Sequence, residues 1–243
     1  MSEKKIAIVT GGSGGIGTEV ATRLAKDGFI VAVQCRNDLK AAESVVAEIE
    51  ADGGQAFTVQ TDISDEDDVT GLFDIAAKRG ELMVVVHAAG IMELNPISQG
   101  AIDSFDRVIE TNLRGTYLTM CEAARHLTKG GRFIAFSSSV VAVNFPTYGA
   151  YIASKLGVEG LVRVFANELR GKGITINAVA PGPVATELFF QGKSQEEIAR
   201  LAALPPLERL GTPEDIADVV SFLAGPDGGW VNGQVLRSNG GYA

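Results

Sequence analysis

Tyr151 and Lys155 are the pair of residues in this 243-residue sequence whose types and spacing best suit acid–base chemistry. Four residues apart in a helical pattern, they lie on one face, one turn from each other. A free tyrosine has a pKa of about 10, and a nearby ammonium favours the phenolate and lowers that value. Ser138, at the end of a predicted strand, could hold a carbonyl oxygen beside the phenol. The set suits proton donation to a carbonyl oxygen; a buried tyrosine with a snorkelling lysine is the alternative interpretation.

Glycines cluster where the first predicted strand meets the first predicted helix. The segment Thr10–Gly17 reads TGGSGGIG, and two overlapping patterns fit it. One pattern uses Gly12, Gly14 and Gly17, and the other uses Gly11, Gly15 and Gly17. In both, the glycines let backbone N–H groups approach a pyrophosphate at the positive end of the helix. We therefore expect a dinucleotide site that includes Gly11, Ser13, Gly15, Ile16 and Gly17.

The end of the second predicted strand indicates which dinucleotide is bound. An NAD site usually places a carboxylate about 20 residues beyond the glycines, where it binds the ribose 2′-hydroxyl. This strand ends in Arg36 and Asn37, and no carboxylate occurs in it before Asp38. Because a guanidinium can bind phosphate with paired hydrogen bonds, Arg36 and Asn37 predict a 2′-phosphate and therefore NADP(H). A solvated surface arginine is the alternative.

Two further segments follow the third and fourth predicted strands. Ligands of such sheets bind at the carboxyl ends of the strands. Asp62, followed by Ile63, could bond an adenine amino group or could instead cap a helix. The small residues Ala88, Ala89 and Gly90 would let the backbone pass close beside a cofactor.

Short apolar runs alternate with amphipathic stretches along the chain. The predicted strands are Lys5–Val9, Ile30–Gln34, Ala56–Thr61, Leu82–His87, Gly131–Ser137, Ile174–Ala180 and Gln234–Arg237. The predicted helices are Ile16–Lys26, Leu39–Ala51, Asp65–Lys78 capped by Ser64, Ser104–Thr128, Tyr148–Arg170 and Pro213–Leu223 capped by Thr212. This α/β order predicts a single-domain, doubly wound Rossmann fold over residues 1–243. Its seven-stranded sheet should be mostly parallel, with helices on both faces. Residues 184–210 lack a strand and predict a helical lid over the substrate.

Composition argues against several classes of protein. The net charge of −9 is unfavourable for nucleic acid and for anionic membranes. No run approaches the roughly 18 apolar residues of a membrane helix, and the charged segment Met1–Lys5 is unlike a signal peptide. We therefore expect a cytoplasmic protein. Two cysteines and two histidines form no cluster at metal-ligand spacing, so no metal site is predicted.

Thr10–Gly17, Asn112, Ser138, Tyr151 with Lys155, and Pro181 with Gly182 together resemble the classical short-chain dehydrogenase/reductase family. The resemblance extends from Ile6 to Gly241, and the 3-oxoacyl-carrier-protein reductases are the most similar branch. It implies that Tyr151 is the general acid in reduction and that Lys155 lowers its pKa and binds the nicotinamide ribose. It also implies that Ser138 orients the carbonyl, that Asn112 holds a water that relays protons, and that Asp62 binds adenine. The segment expected at the nicotinamide comprises Pro181, Gly182, Val184 and Thr186.

Two positions depart from the family pattern. His87 stands where the family often has asparagine, and Gly14 stands where relatives often have a basic residue. The first departure puts a cofactor contact in doubt. The second leaves Arg36 and Asn37 to bind the 2′-phosphate largely alone.

The predicted substrate pocket is mainly apolar, although paired phenylalanines also suit an ordinary core. Beside Ser138 and Tyr151, its expected residues are Val140, Phe145, Tyr148, Leu188 and Phe189. This favours a ketone or a 3-oxoacyl substrate. An acyl thioester on an acidic carrier protein could meet Lys129, Arg132, Arg170 and Lys172, which could equally be solvated surface charges. The alternatives are an NAD(P)-dependent dehydrogenase of a secondary alcohol or sugar, and a non-catalytic nucleotide sensor. The resemblance implies a homotetramer.

Overall fold

Seven parallel strands form the sheet at the centre of the molecule. The computed structural model describes residues 4–243, apart from the side chain of Leu188. The strands are β1 (Lys5–Thr10), β2 (Ile30–Cys35), β3 (Gln55–Gln60), β4 (Glu81–His87), β5 (Arg132–Phe136), β6 (Thr175–Pro181) and β7 (Val235–Ser238). Each boundary falls within one residue of its prediction. All six strand pairings are parallel, in the order β3-β2-β1-β4-β5-β6-β7.

Helices cover both faces of this sheet. They are α1 (Gly15–Lys26), α2 (Leu39–Ala51), α3 (Glu66–Ala77), α4 (Ile102–Ile109), α5 (Gly115–His126), α6 (Gly149–Glu168), α7 (Glu187–Phe190), α8 (Gln195–Ala202) and α9 (Pro213–Ala224). Buried side chains of α3, α5 and α6 form one core with the sheet, and those of α1, α2 and α9 form the other. Because both faces are buried, the strands consist of nearly continuous apolar runs. The doubly wound Rossmann fold is confirmed.

Two local predictions about helices are wrong. The long helix expected over Ser104–Thr128 is two helices, α4 and α5, joined by a π-helical turn at Glu110–Arg114. The cap of α3 is Asp65, whose carboxylate accepts the Asp68 amide at 3.0 Å, and not Ser64. Ser64 instead donates its hydroxyl to Asp62 Oδ1 at 2.7 Å, since the chain turns tightly before the helix.

The order of the strands fixes where a ligand can bind. β1 lies between β2 and β4, so the chain first builds the sheet outward to β3 and then crosses to the other side. The connections after β1 and β4 therefore diverge and leave a crevice at the carboxyl ends of these strands. Among residues 4–243, no helix is both long enough and apolar enough to cross a membrane.

Candidate active site

The glycine segment forms a tight turn between β1 and α1. Gly11 has a φ of +65°, and a Cβ there would lie 2.9 Å from Ala89 Cα. A Cβ on Gly17 would collide with the carbonyl oxygen of Gly11, and one on Gly15 would lie 2.9 Å from Thr186 Cγ2. A Cβ on Gly14 would meet its first neighbour only at 3.8 Å. The pattern through Gly11, Gly15 and Gly17 is therefore the one that the backbone requires.

The amino end of α1 opens directly onto this turn. Gly14 is its first flanking residue, and no side chain caps the helix there. The first amides of α1 are consequently available to an anion, which the positive end of the helix dipole also favours. Ser13 and Ile16 flank the same turn and are half-buried.

A buried glutamine that the sequence reasoning missed holds the turn in place. Gln34, near the end of β2, is 1% exposed. Its Oε1 accepts the Gly11 amide at 2.9 Å, and its Nε2 donates to the Thr61 carbonyl at 2.6 Å. One side chain thus ties the glycine turn to the end of β3. A polar residue inside the apolar run Ile30–Cys35 was the available signal.

Arg36 and Asp62 lie together at the carboxyl ends of β2 and β3. Arg36 Nη2 is 2.9 Å from Asp62 Oδ2. Desolvation alone would raise the pKa of Asp62, but hydrogen bonds from Ser64 and the charge of Arg36 outweigh it and lower the pKa. Asn37 is exposed beside Arg36, whereas the side chain of Ile63 is buried in the core. A guanidinium therefore stands at the edge of the crevice, as a 2′-phosphate would need.

His87 makes a contact different from the one expected of asparagine. Its Nδ1 lies 3.2 Å from the Thr10 hydroxyl, which also accepts the Ala89 amide at 3.2 Å. The ring is 2% exposed, and its Nε2 has no hydrogen-bond partner within the described part of the chain. Burial, with a smaller effect of the Lys155 charge, lowers the pKa of His87 to about 3. The imidazole is therefore neutral, and it ties the ends of β1 and β4 together below Ala88–Gly90.

Ser138, Tyr151 and Lys155 line one cavity, as their spacing predicted. Lys155 Nζ lies 5.7 Å from the centre of the Tyr151 ring and donates to the Phe136 carbonyl at 2.8 Å. Burial lowers the pKa of Lys155 to about 8. The predicted lowering of the Tyr151 pKa is wrong for this structure. Burial raises that pKa to about 12, and a hydrogen bond with Ser138 only partly opposes the rise.

Asn112 lies in the π-helical turn and is fully buried. Its Oδ1 accepts the Ile91 amide at 2.8 Å, and its Nδ2 donates to the Ile91 carbonyl at 2.9 Å and to Ser154 Oγ at 3.1 Å. The side chain therefore locks the segment after β4 onto α6. A Cβ on Gly90 would lie 3.1 Å from Asn112 Oδ1 and 3.6 Å from Lys155 Nζ. The missing side chain at Gly90 keeps the space between these two groups open.

The cavity has a volume of about 240 Å³ and combines two groups of predicted residues. From the expected nicotinamide side it is lined by Ile16, Ala88, Gly90, Pro181, Gly182, Val184 and Thr186. From the expected substrate side it is lined by Val140, Phe145, Tyr148 and Phe189. The side chain of Leu188 lies outside the described residues. Met92, Lys193 and Tyr242 also line the cavity and were not predicted, because none of them belongs to a sequence motif.

The four predicted carrier-binding cations lie elsewhere in the fold. Arg132 begins β5, and Lys129 precedes it, so both lie at the amino ends of the strands. Arg170 and Lys172 follow α6 and precede β6, at the same edge of the sheet. The cavity lies at the carboxyl ends. Within one chain, these cations therefore do not surround its mouth.

Both the sequence and the fold are similar to those of known proteins. A family model described as Enoyl-(Acyl carrier protein) reductase matches residues 11–243. A short-chain type dehydrogenase/reductase of Picea abies is 43% identical, covering 98% of this chain and 92% of the relative. An NADPH-dependent aldehyde reductase-like protein, chloroplastic, of Arabidopsis thaliana is 40% identical, covering 98% and 94%. The crystal structure of a short-chain dehydrogenase from Burkholderia cenocepacia J2315 in complex with NADP has a TM-score of 0.92 at 34% identity, covering 98% and 97%.

Proposed function

This chain belongs to the short-chain dehydrogenase/reductase family, and we propose that it reduces the carbonyl group of a small hydrophobic ketone with NADPH. The observation that carries the proposal is the cavity. It brings Tyr151, Ser138 and Lys155 to the wall of a mainly apolar pocket, next to the segment Pro181–Thr186. Carbonyl reduction adds a proton to the oxygen and a hydride to the carbon. It therefore needs a proton donor on one side of the substrate and a nicotinamide on the other.

The residues present fit an NADP(H) molecule. The uncapped end of α1 and the turn at Gly11, Gly15 and Gly17 suit a pyrophosphate, and Arg36 suits the 2′-phosphate. Asp62, which pairs with Arg36 at the same edge of the sheet, would bind the adenine. The bound nicotinamide supplies the hydride. The relative named as NADPH-dependent and the neighbour solved with NADP support the choice of cofactor.

The chain's own residues would then handle the proton. Tyr151 donates its phenolic proton to the carbonyl oxygen, and Ser138 donates a hydrogen bond to the same oxygen and orients it. Lys155 stabilises the phenolate that is left. Gly90 leaves room between Asn112 and Lys155 for a water that returns the proton from solvent. A protein that only senses nucleotides would not need Tyr151, Ser138 and Lys155 in this arrangement.

Several finer points belong to the same proposal. Residues 184–210, which contain α7 and α8, act as the lid of a single catalytic domain. The chain works as a cytoplasmic homotetramer, and the exposed apolar residues Leu156 and Val164 on α6 are available for packing between copies. A carrier-bound 3-oxoacyl thioester is the second candidate substrate, since the description of the matching family model names an acyl carrier protein. The same residues would catalyse the reverse reaction, the oxidation of a secondary alcohol or sugar.

The test is a panel of carbonyl compounds with the purified chain. Ketones, 3-oxoacyl thioesters, quinones and sugars are each mixed with NADPH or NADH, and the loss of reduced-nicotinamide absorbance is followed. Tyr151→Phe should keep NADPH affinity and lower kcat by about 100-fold or more, as loss of general acid catalysis does. Tyr117→Phe makes the same change at an exposed tyrosine of α5 and is the matched control. Near-normal turnover by Tyr151→Phe would remove Tyr151 from the reaction.

A further inference from the structure

The last five residues of the chain, 239–243, form a closed turn that we call the tail. Asn239 organises it: its Nδ2 donates to the Ala243 carbonyl at 2.9 Å, and its Oδ1 accepts the Gly241 amide at 3.0 Å. The Tyr242 amide returns to the Asn239 carbonyl at 3.1 Å. Gly240 and Gly241 have φ values of +62° and +86°, which side chains rarely allow. The position of Tyr242 is therefore set by the backbone.

Ser139, the neighbour of Ser138, anchors this tail. Its Oγ accepts Asn239 Nδ2 at 2.9 Å and donates to the Ala180 carbonyl at 2.9 Å. Ser139 is fully buried. Ala180 directly precedes Pro181, so the tail is bound to the same two stretches of backbone that carry Ser138 and the Pro181 segment. Ser139, the last of three consecutive serines that begin at Ser137, thus has a positioning role that the sequence did not reveal.

The other side of the tail contacts the segment 184–210. The Leu207 amide donates to the Gly240 carbonyl at 3.3 Å. Added Cβ atoms on Gly240 and Gly241 would lie 3.2 Å from Pro205 and 3.0 Å from Pro206. The tail thus joins the proposed lid to the carboxyl ends of β5 and β6.

Tyr242 lines the cavity, as Tyr148 does, and the two phenols are close enough to interact electrostatically. Burial raises the pKa of Tyr242, and the nearby Tyr148 phenol raises it further. Burial also raises the pKa of Tyr148. Both phenols are therefore protonated hydrogen-bond donors at neutral pH. Neither is required for proton transfer to the reacting carbonyl.

The wall of the cavity around Tyr148 consists of aromatic rings. The Tyr148 ring lies 5.8 Å from that of Phe145 and 6.4 Å from that of Tyr151, with interplanar angles of 57° and 77°. Phe189 lines the cavity as well. Tilted rings at these separations can extend their stacking to a further aromatic ring. A planar aryl group suits this wall better than a flexible alkyl chain.

We propose that the tail forms part of the substrate site and that Tyr242, with Tyr148, hydrogen-bonds a second oxygen on an aromatic ketone. This inference rests on the proposed function. The substrate it assigns is a fused-ring aryl ketone that bears a hydroxyl or a second carbonyl away from the reacting group. Tyr242 is then a specificity-determining residue, and Asn239 and Ser139 position it.

The test compares α-tetralone with its hydroxylated analogues at each ring position. Tyr242→Phe should raise KM about tenfold for the analogue that the wild type prefers, as loss of one hydrogen bond in a closed site does. It should leave KM for α-tetralone, kcat for both and the Kd of NADPH within about twofold. Tyr117→Phe should change none of these. Asn239→Ala and Ser139→Ala should each raise the same KM selectively, and the double variant should add little to either.

The results separate this inference from the function on which it rests. A wild type that turns over aliphatic ketones but no tetralone overturns the inference alone. So does a Tyr242→Phe variant that leaves both KM values unchanged or raises them equally. A wild type that reduces no carbonyl with NADPH refutes the proposed function, and the inference with it.

Discussion

Replacing Arg36 with alanine isolates the part of cofactor binding that depends on the 2′-phosphate. Arg36 is 54% exposed and already pairs with Asp62. A hydrogen bond to a charged group contributes about 1.5–3 kcal/mol, and the exposure places Arg36 at the low end of that range. About 1.4 kcal/mol is tenfold in affinity, so the Kd of NADPH should rise about tenfold. The unpaired Asp62 carboxylate would add repulsion towards the phosphate, whereas NADH should change less than about twofold.

The assay is a titration with reduced-nicotinamide fluorescence, done with both cofactors in low and in high salt. Because the contact is exposed, the difference between NADPH and NADH should shrink as salt screens it. Arg23→Ala is the matched control, since Arg23 is also a partly exposed arginine paired with an aspartate, Asp27, at the far end of α1. Equal losses for NADPH and NADH would show that Arg36 does not bind the 2′-phosphate.

Three further predictions test the site. Gly17→Ala should abolish NADPH binding in the same titration, whereas Gly14→Ala should bind within about twofold; comparable losses would contradict the steric account of the turn. Gly90→Ala should lower kcat by about tenfold or more, and by a larger factor than it weakens NADPH binding, because its methyl fills the space beside Lys155; an unchanged kcat would argue against a water there. The pKa of His87 is about 3 in the folded chain and about 6.5 in the unfolded chain, so the unfolded chain takes up the proton first as the pH falls. The free energy of unfolding of the wild type should therefore decrease by about 2 kcal/mol between pH 7 and pH 5. Urea unfolding of His87→Asn should lack that loss, and an equal loss in both proteins would mean that the ring is not held neutral.

The sheet could be predicted well because its strands are buried on both faces. A nearly continuous apolar run such as Ile30–Cys35 is typical of a strand in a parallel sheet that helices cover on both faces. The glycine turn and the pair Tyr151 and Lys155 were equally visible, since both depend on short spacings in the sequence. Local patterns thus predicted the fold and the meeting of Ser138, Tyr151 and Lys155 in one cavity.

What the sequence did not reveal depends on contacts across long separations. Nothing near Gln34 indicates that it bonds Gly11, and nothing near Asn239 indicates that it bonds Ser139, 100 residues away. The π-helical turn at Asn112 was missed for a related reason. Its sequence suits an ordinary α-helix, and the extra residue in the turn is stabilised by the bonds from Asn112 to Ile91 and Ser154.

The raised pKa of Tyr151 determines which form of the phenol is present before the reaction begins. A phenol with a pKa of about 12 is fully protonated at neutral pH, so it is always ready to donate to a carbonyl oxygen that is becoming an alkoxide. The alkoxide is a far stronger base than the phenolate, and the transfer is therefore favourable even from this weak acid. Oxidation of an alcohol instead requires the phenolate first, and burial makes that form costly. The same burial that makes the phenolate costly keeps Tyr151 protonated in the free protein, and the protonated phenol is the form from which carbonyl reduction starts.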